Sequence, residues 1–244
     1  MAYLSEFLGT MMLVFLGDCV VANVVLKDTK GHGSGWPIIT LGWMVAVAVP
    51  VMVFGFMGGA HFNPAVTLGF AIAGIEPVMG GSPWSIVPGY IAAQMTGGLV
   101  GAVLVYIFYK PHFDVTEDKN SKLAVFCTGP AIRDTKYNLI SETIATIVLV
   151  FAIIGALVAA APDGTIGGGL GIAWIILALG TALGGTTGYA LNPARDLSPR
   201  IAHAILPIKD KRDPDWSYSW IPVIGPILGG ILAGLAGLAV FGPF

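Results

Sequence analysis

Six long stretches of the chain are apolar almost without interruption, near residues 4–26, 37–56, 84–109, 138–160, 168–187 and 218–241. Each is close to the roughly 20 helical residues that a ~30 Å hydrocarbon layer requires, so the pattern predicts six transmembrane helices. Two further apolar pieces, 64–74 and 193–203, are shorter. At 1.5 Å per residue each reaches about 16 Å, half of the layer. Both open on proline preceded by asparagine, Asn63-Pro64 and Asn192-Pro193. Asparagine is a good N-cap, and proline at the first helical position gives up an N–H that would be unpaired anyway. Two half-helices are predicted.

The order along the chain is span, span, half-helix, span, and then the same again. The starts of the halves echo each other: "LSEFLGT" at 4–10 and "ISETIAT" at 140–146 put Glu6 and Glu142 in equivalent places. Three full spans is an odd number, so the second copy enters the membrane upside down. The expected organisation is one domain over 1–244, with a first inverted repeat at 1–109, a linker loop at 110–137 and a second repeat at 138–244. Half-helices entering from opposite sides would meet N-terminus to N-terminus near the midplane. Non-helical backbone survives there only where protein or a wet cavity satisfies it, an arrangement that builds a polar site in a bilayer. Both positive dipole ends would point at one spot, repelling a cation or a hopping proton but not a neutral hydroxyl.

Composition strengthens the membrane reading. Of 244 residues 55% are hydrophobic and 11% charged, against about 25% charged in soluble domains, and the mean hydropathy is +0.82. Residues 31–109 and 137–194 contain no Lys or Arg. The first lysine is Lys27, so no basic segment precedes the first apolar run, which reads as a retained helix. Two cysteines, Cys19 and Cys127, make no framework, and no metal-ligand cluster, nucleophile or acid–base pair stands out. No metal, cofactor, nucleic-acid partner or enzymatic activity is expected. The few charges at membrane depth are the informative ones. Arg195 would cost about 2.5–3.5 kcal/mol even on lenient insertion scales, so it lines a wet cavity or has a buried partner. Glu6 and Glu142 need work of a similar kind. Asp196 and Arg200 are four apart and can pair across one helical turn. Asp18 in the first span fits either an outer-vestibule or a helix-contact role. Small residues in "GGLVGAVLV" from 97 and "GGILAGLAG" from 229 permit close helix approach.

The stretches "GAHFNPAVT" at 59–67 and "GYALNPARD" at 188–196, each in one odd-span half, resemble the paired motifs of the major intrinsic protein family. The trailing Arg195-Asp196 resembles its aquaglyceroporin branch, the glycerol facilitators, and the resemblance runs over essentially the whole chain. It implies an aquaporin-like fold, all-α with six transmembrane helices and two re-entrant half-helices. Function would be passive conduction of glycerol and other small neutral solutes together with water, with ions and protons excluded. The motif residues Asn63, Pro64 and Ala65 would meet Asn192, Pro193 and Ala194 in the pore, the asparagines capping the half-helices while their amides donate to passing oxygens. Spacing from the motifs carries the family's selectivity filter onto Trp43, Gly180, Tyr189 and Arg195. Tyr189 stands where the best-known facilitators have phenylalanine, and Gly180 leaves room that a histidine would close. Backbone carbonyls of Gly59, Ala60, His61, Gly188, Tyr189 and Ala190 would line the path, and Glu6 and Glu142 would brace the two loops. The resemblance also implies a homotetramer in the lipid bilayer of the cell membrane. The alternatives from the same residues are a water-selective channel, against which Gly180 and Trp43 argue, and a secondary transporter, which lacks a coupling-ion site.

Charge and resemblance disagree on orientation. Apart from Arg195 and Arg200, all ten Lys and Arg lie in the first, third and fifth connections, which the positive-inside rule would make cytoplasmic. The family implies cytoplasmic termini and those connections outside, and the whole-chain resemblance is given the greater weight.

Overall fold

The computed structural model describes residues 1–78, 80–159 and 169–242, and among them it is helical without strands. The helices are α1 (Ala2–Val25), α2 (Trp36–Gly58), α3 (Pro64–Ala73), α4 (Pro83–Val115), α5 (Lys119–Phe126), α6 (Thr135–Ala159), α7 (Gly169–Ala182), α8 (Pro193–Ile205) and α9 (Ile221–Phe241). α1, α2, α4, α6 and α9 are each long and apolar enough to cross a membrane. The fifth expected span ends earlier than the hydropathy pattern suggested: α7, described from Gly169, stops at Ala182, and the chain turns over residues 183–187. Residues 160 and 168, at the edges of the expected fourth and fifth spans, lie outside the described residues.

Around an apolar core, several charged side chains lie inside the bundle while large apolar ones face outward. Glu6, Asp18, Glu142, Asp196 and Arg200 are wholly buried, whereas Phe56, Phe108 and Trp174 are mostly exposed. A water-soluble protein has the opposite distribution.

The half-helices form as their caps predict. Asn63 and Asn192 take extended backbone, and their side-chain carbonyls accept from Ala65 N at 2.8 Å and Ala194 N at 2.9 Å. The expected linker loop is not all loop. α4 runs on to Val115, and α5 fills residues 119–126, capped by Asp118, whose carboxylate accepts from Asn120 N and Ser121 N. The Ser121 hydroxyl and these N–H groups hold that carboxyl below its usual range. Short and polar, α5 carries no apolar period that hydropathy could detect.

Glycine pairs set how closely the helices approach. In α4, a Cβ on Gly97 would lie 2.3 Å from the Phe7 carbonyl of α1, and one on Gly98 would lie 2.7 Å from the Ala194 carbonyl of α8. In α9, Gly229 would meet the Thr143 carbonyl of α6 at 2.6 Å, and Gly230 the Ala65 carbonyl of α3 at 2.3 Å. Each long helix thus presses on one long and one half-helix through adjacent glycines. Gly230→Ala is expected to destabilise the protein by about 1–3 kcal/mol, the range for overpacking, because backbone cannot swing aside. Thermal unfolding in detergent checks this, and an unchanged transition would mean that α3 and α9 are not in close contact.

Candidate functional site

Two loops descend to the half-helices with the same backbone geometry. In the first, Gly59, Ala60 and Phe62 have φ of 86°, 51° and 49°; in the second, Gly188, Tyr189 and Leu191 have 80°, 40° and 57°. Glycine takes such values freely, but Ala60, Phe62, Tyr189 and Leu191 do not, and each strained residue costs about 1–3 kcal/mol. The strain is held by buried carboxylates. Glu6 accepts from His61 N at 2.9 Å and Phe62 N at 2.7 Å, and from the Gln94 amide at 2.7 Å. Glu142 accepts from Ala190 N and Leu191 N, both at 3.0 Å, and from the Thr187 hydroxyl at 2.6 Å. Gln94 and Thr187 complete these cradles and gave no sign in the sequence. His61 is tied to the scaffold, its ring Nδ1 3.1 Å from Thr67 Oγ1.

The loops also hold each other. Asn63 Nδ2 donates to the Leu191 carbonyl at 2.9 Å, and Asn192 Nδ2 donates to the Phe62 carbonyl at 2.8 Å. The two N-termini therefore abut, with Pro64-Ala65 and Pro193-Ala194 as the buried first turns of α3 and α8. A primary amide has two N–H donors, so each asparagine commits one across the junction.

A cavity of about 280 Å³ runs along this junction, lined among others by Asn63, Asn192, Trp43, Tyr189 and Arg195. Ordinary ligand pockets span about 300–1,000 Å³, so this space suits small solutes. Gly59, Ala60, His61 and Ala190 are among its lining residues, whereas Gly180 and Gly188 are not. Beside Gly180 the space is filled: a Cβ there would sit 2.8 Å from Tyr189 Oη and 3.0 Å from Thr40 Cγ2, and the Gly180 carbonyl accepts from Trp36 Nε1 at 3.0 Å. Tyr189 Oη is buried without a hydrogen-bond partner.

Arg195 and Trp43 are in contact rather than facing each other across the lumen. The guanidinium carbon lies 3.9 Å from the Trp43 ring centroid, in cation–π geometry. Behind it, Arg195 Nη1 lies 3.6 Å from Asp18 Oδ1 of α1. At an effective dielectric of about 20 that is a gross attraction of roughly 5 kcal/mol, set against several kcal/mol of desolvation per ion. Adjacent Gly17 makes the seat for the indole, since a Cβ there would fall 2.3 Å from Trp43 Cη2. Gly17 escaped sequence reasoning, whereas Asp18, marked by its carboxylate inside a span and open between a vestibule and a helix-contact role, pairs with Arg195. Asp196 pairs with Arg200 as the spacing predicts, at 2.8 Å, and also accepts from the Thr128 amide and hydroxyl. Arg200 adds the Thr128 and Pro214 carbonyls, tying α8 to the connection before α6.

The comparisons agree with this architecture. The family profile for major intrinsic proteins matches residues 1–236. A probable glycerol uptake facilitator of Thermotoga maritima is 56% identical over 94% of this chain and 95% of its own length. A glycerol uptake facilitator of Bacillus subtilis is 47% identical over 98% of this chain and 85% of its own. Among solved structures, the aquaglyceroporin of Plasmodium falciparum superposes with a TM-score of 0.79 at 30% identity, covering 98% of this chain and 96% of that one. With its abutting half-helices and its match along nearly the full length, the chain is a multi-pass membrane protein that belongs to the major intrinsic protein family.

Proposed function

We propose that this protein is a passive channel that conducts glycerol and other small neutral solutes together with water, and that it is not an enzyme. The observation that carries the reading is a single cavity bounded both by Arg195, Trp43 and Tyr189 and by the Asn63–Asn192 junction; the facilitators it resembles support glycerol as the solute. Trp43, Gly180, Tyr189 and Arg195 form the selectivity filter. Arg195, held over the Trp43 ring, offers its N–H groups to solute hydroxyls, and Tyr189 bounds the opening on the Gly180 side. At the waist, the second N–H of Asn63 and of Asn192 donates to the passing oxygen. An oxygen that accepts both cannot easily accept from the water behind it, which interrupts a proton wire. The positive ends of α3 and α8 reinforce the barrier to cations. Carbonyls of the strained loops replace the hydration that the solute leaves behind, as in other selectivity filters.

The wider organisation follows the same reading. The matched cradles of Glu6 and Glu142 and the matched glycine pairs of α4 and α9 support two inverted repeats, 1–109 and 138–244. Four copies assemble in the cell membrane with one pore each, and both termini face the cytoplasm.

Uptake of labelled glycerol into proteoliposomes, with and without an imposed proton or sodium gradient, tests the mechanism. The initial rate should not change, and glycerol should not accumulate beyond equilibrium. Gradient-driven accumulation would make the protein a secondary transporter. Tyr189→Phe removes the hydroxyl that crowds Gly180. The ratio of glycerol to water permeability should rise about two- to tenfold, up to ~1.4 kcal/mol of barrier. An unchanged ratio would remove Tyr189 Oη from the constriction.

A further inference from the structure

Among the described residues four acidic side chains are wholly buried in the helical body, and three are fully engaged. Glu6 and Glu142 hold the two loops, and Asp196 holds Arg200 and Thr128. Asp18 differs: it has no exposed surface, and neither carboxylate oxygen has a hydrogen-bond donor among the described residues. Its one ion pair is with Arg195. Conversely, Arg200 is matched by Asp196 and carbonyls, while among the described residues Arg195 has only Asp18 as an acidic partner and the Trp43 ring as a support.

The geometry points to Asp18 as a specificity-determining positioning residue: it neutralises the filter arginine from behind, so that the constriction does not trap small anions. This rests on the channel reading above and deepens it. An arginine fork is a strong acceptor site for planar oxyanions, which it holds through two parallel N–H···O bonds. Beyond it lie the positive ends of two half-helices, which also favour anions. An uncompensated guanidinium in that position would bind oxyanions and plug the path for neutral solutes. Asp18 supplies a fixed negative charge of the same magnitude at 3.6 Å and draws the guanidinium back against α1 and the Trp43 face. Arg195 keeps its donors for neutral hydroxyls, while the filter as a whole carries no net charge.

The test is glycerol flux into proteoliposomes in sodium nitrate, a planar oxyanion that stays ionised, against sodium gluconate at equal ionic strength. Wild-type flux should exceed that of empty vesicles and should barely respond to the exchange. Asp18→Asn should be half-blocked by nitrate at a concentration about tenfold lower or more, the fold-change of ~1.4 kcal/mol. The double variant Asp18→Asn, Arg195→Gln should lose that sensitivity, a result that a purely structural role for Asp18 would not produce. Equal nitrate response in wild type and Asp18→Asn, or sensitivity that persists in the double variant, would overturn the proposal. Should Asp18→Asn not assemble, Asp18→Ser carries the same expectation, and potent nitrate block of the wild type alone would also overturn it. A wild-type glycerol rate equal to that of empty vesicles would instead sink the channel reading, whatever nitrate does.

Discussion

Glu142→Ala is expected to abolish glycerol flux and to destabilise the protein by several kcal/mol. The carboxylate is wholly buried and accepts three hydrogen bonds, from Ala190 N, Leu191 N and Thr187 Oγ1. Removing it leaves three donors unsatisfied, at about 1–3 kcal/mol each. Those donors belong to a loop that holds Tyr189 and Leu191 at positive φ, so the strain there loses its restraint at the same time. Asn192 follows directly in the chain, and its bond to the Phe62 carbonyl depends on where the loop ends. Damage therefore passes to the first loop as well. Proteoliposome flux and thermal unfolding in detergent measure both consequences. Near-normal flux with normal stability would mean that the loop is held by something other than this carboxylate.

Arg195→Val is the second large effect, and it differs in kind. The half-helix junction does not involve the guanidinium, so the pore should remain and should admit larger solutes. Its charge balance does not survive. Asp18 is left buried without a partner, and breaking a buried pair in this way costs about 3–5 kcal/mol. A lone carboxylate behind the constriction attracts cations by roughly 2 kcal/mol at 8 Å and an effective dielectric of 20, so sodium leak should rise by at least about tenfold. Sodium flux and the size cut-off for polyols, measured in the same vesicles, check this. Unaltered ion and solute selectivity would take Arg195 out of the filter.

Much of this arrangement was legible from local pattern. The caps of α3 and α8, the equivalence of Glu6 and Glu142 and the Asp196–Arg200 pair each depend on residues close in sequence or on an echo between halves. What stayed hidden depends on distant contacts. Nothing near Asp18 announces Arg195, and nothing near Gly17 announces the Trp43 indole that rests on it. Positive φ at Ala60, Phe62, Tyr189 and Leu191 runs against what those residues prefer, because tertiary hydrogen bonds to Glu6 and Glu142 override local propensity. Apolar residues fill the expected fifth span, yet α7 ends at Ala182, as hydropathy reports polarity and not where a helix stops. The room expected beside Gly180 is occupied by the Tyr189 hydroxyl, a packing outcome that spacing alone does not reveal.

The most direct measurement is stopped-flow light scattering of wild-type proteoliposomes, following water efflux and glycerol entry in one trace. A continuous path past Arg195 and the Asn63–Asn192 junction predicts rapid shrinkage and then re-swelling far faster than in protein-free vesicles. Re-swelling no faster than in protein-free vesicles would contradict it.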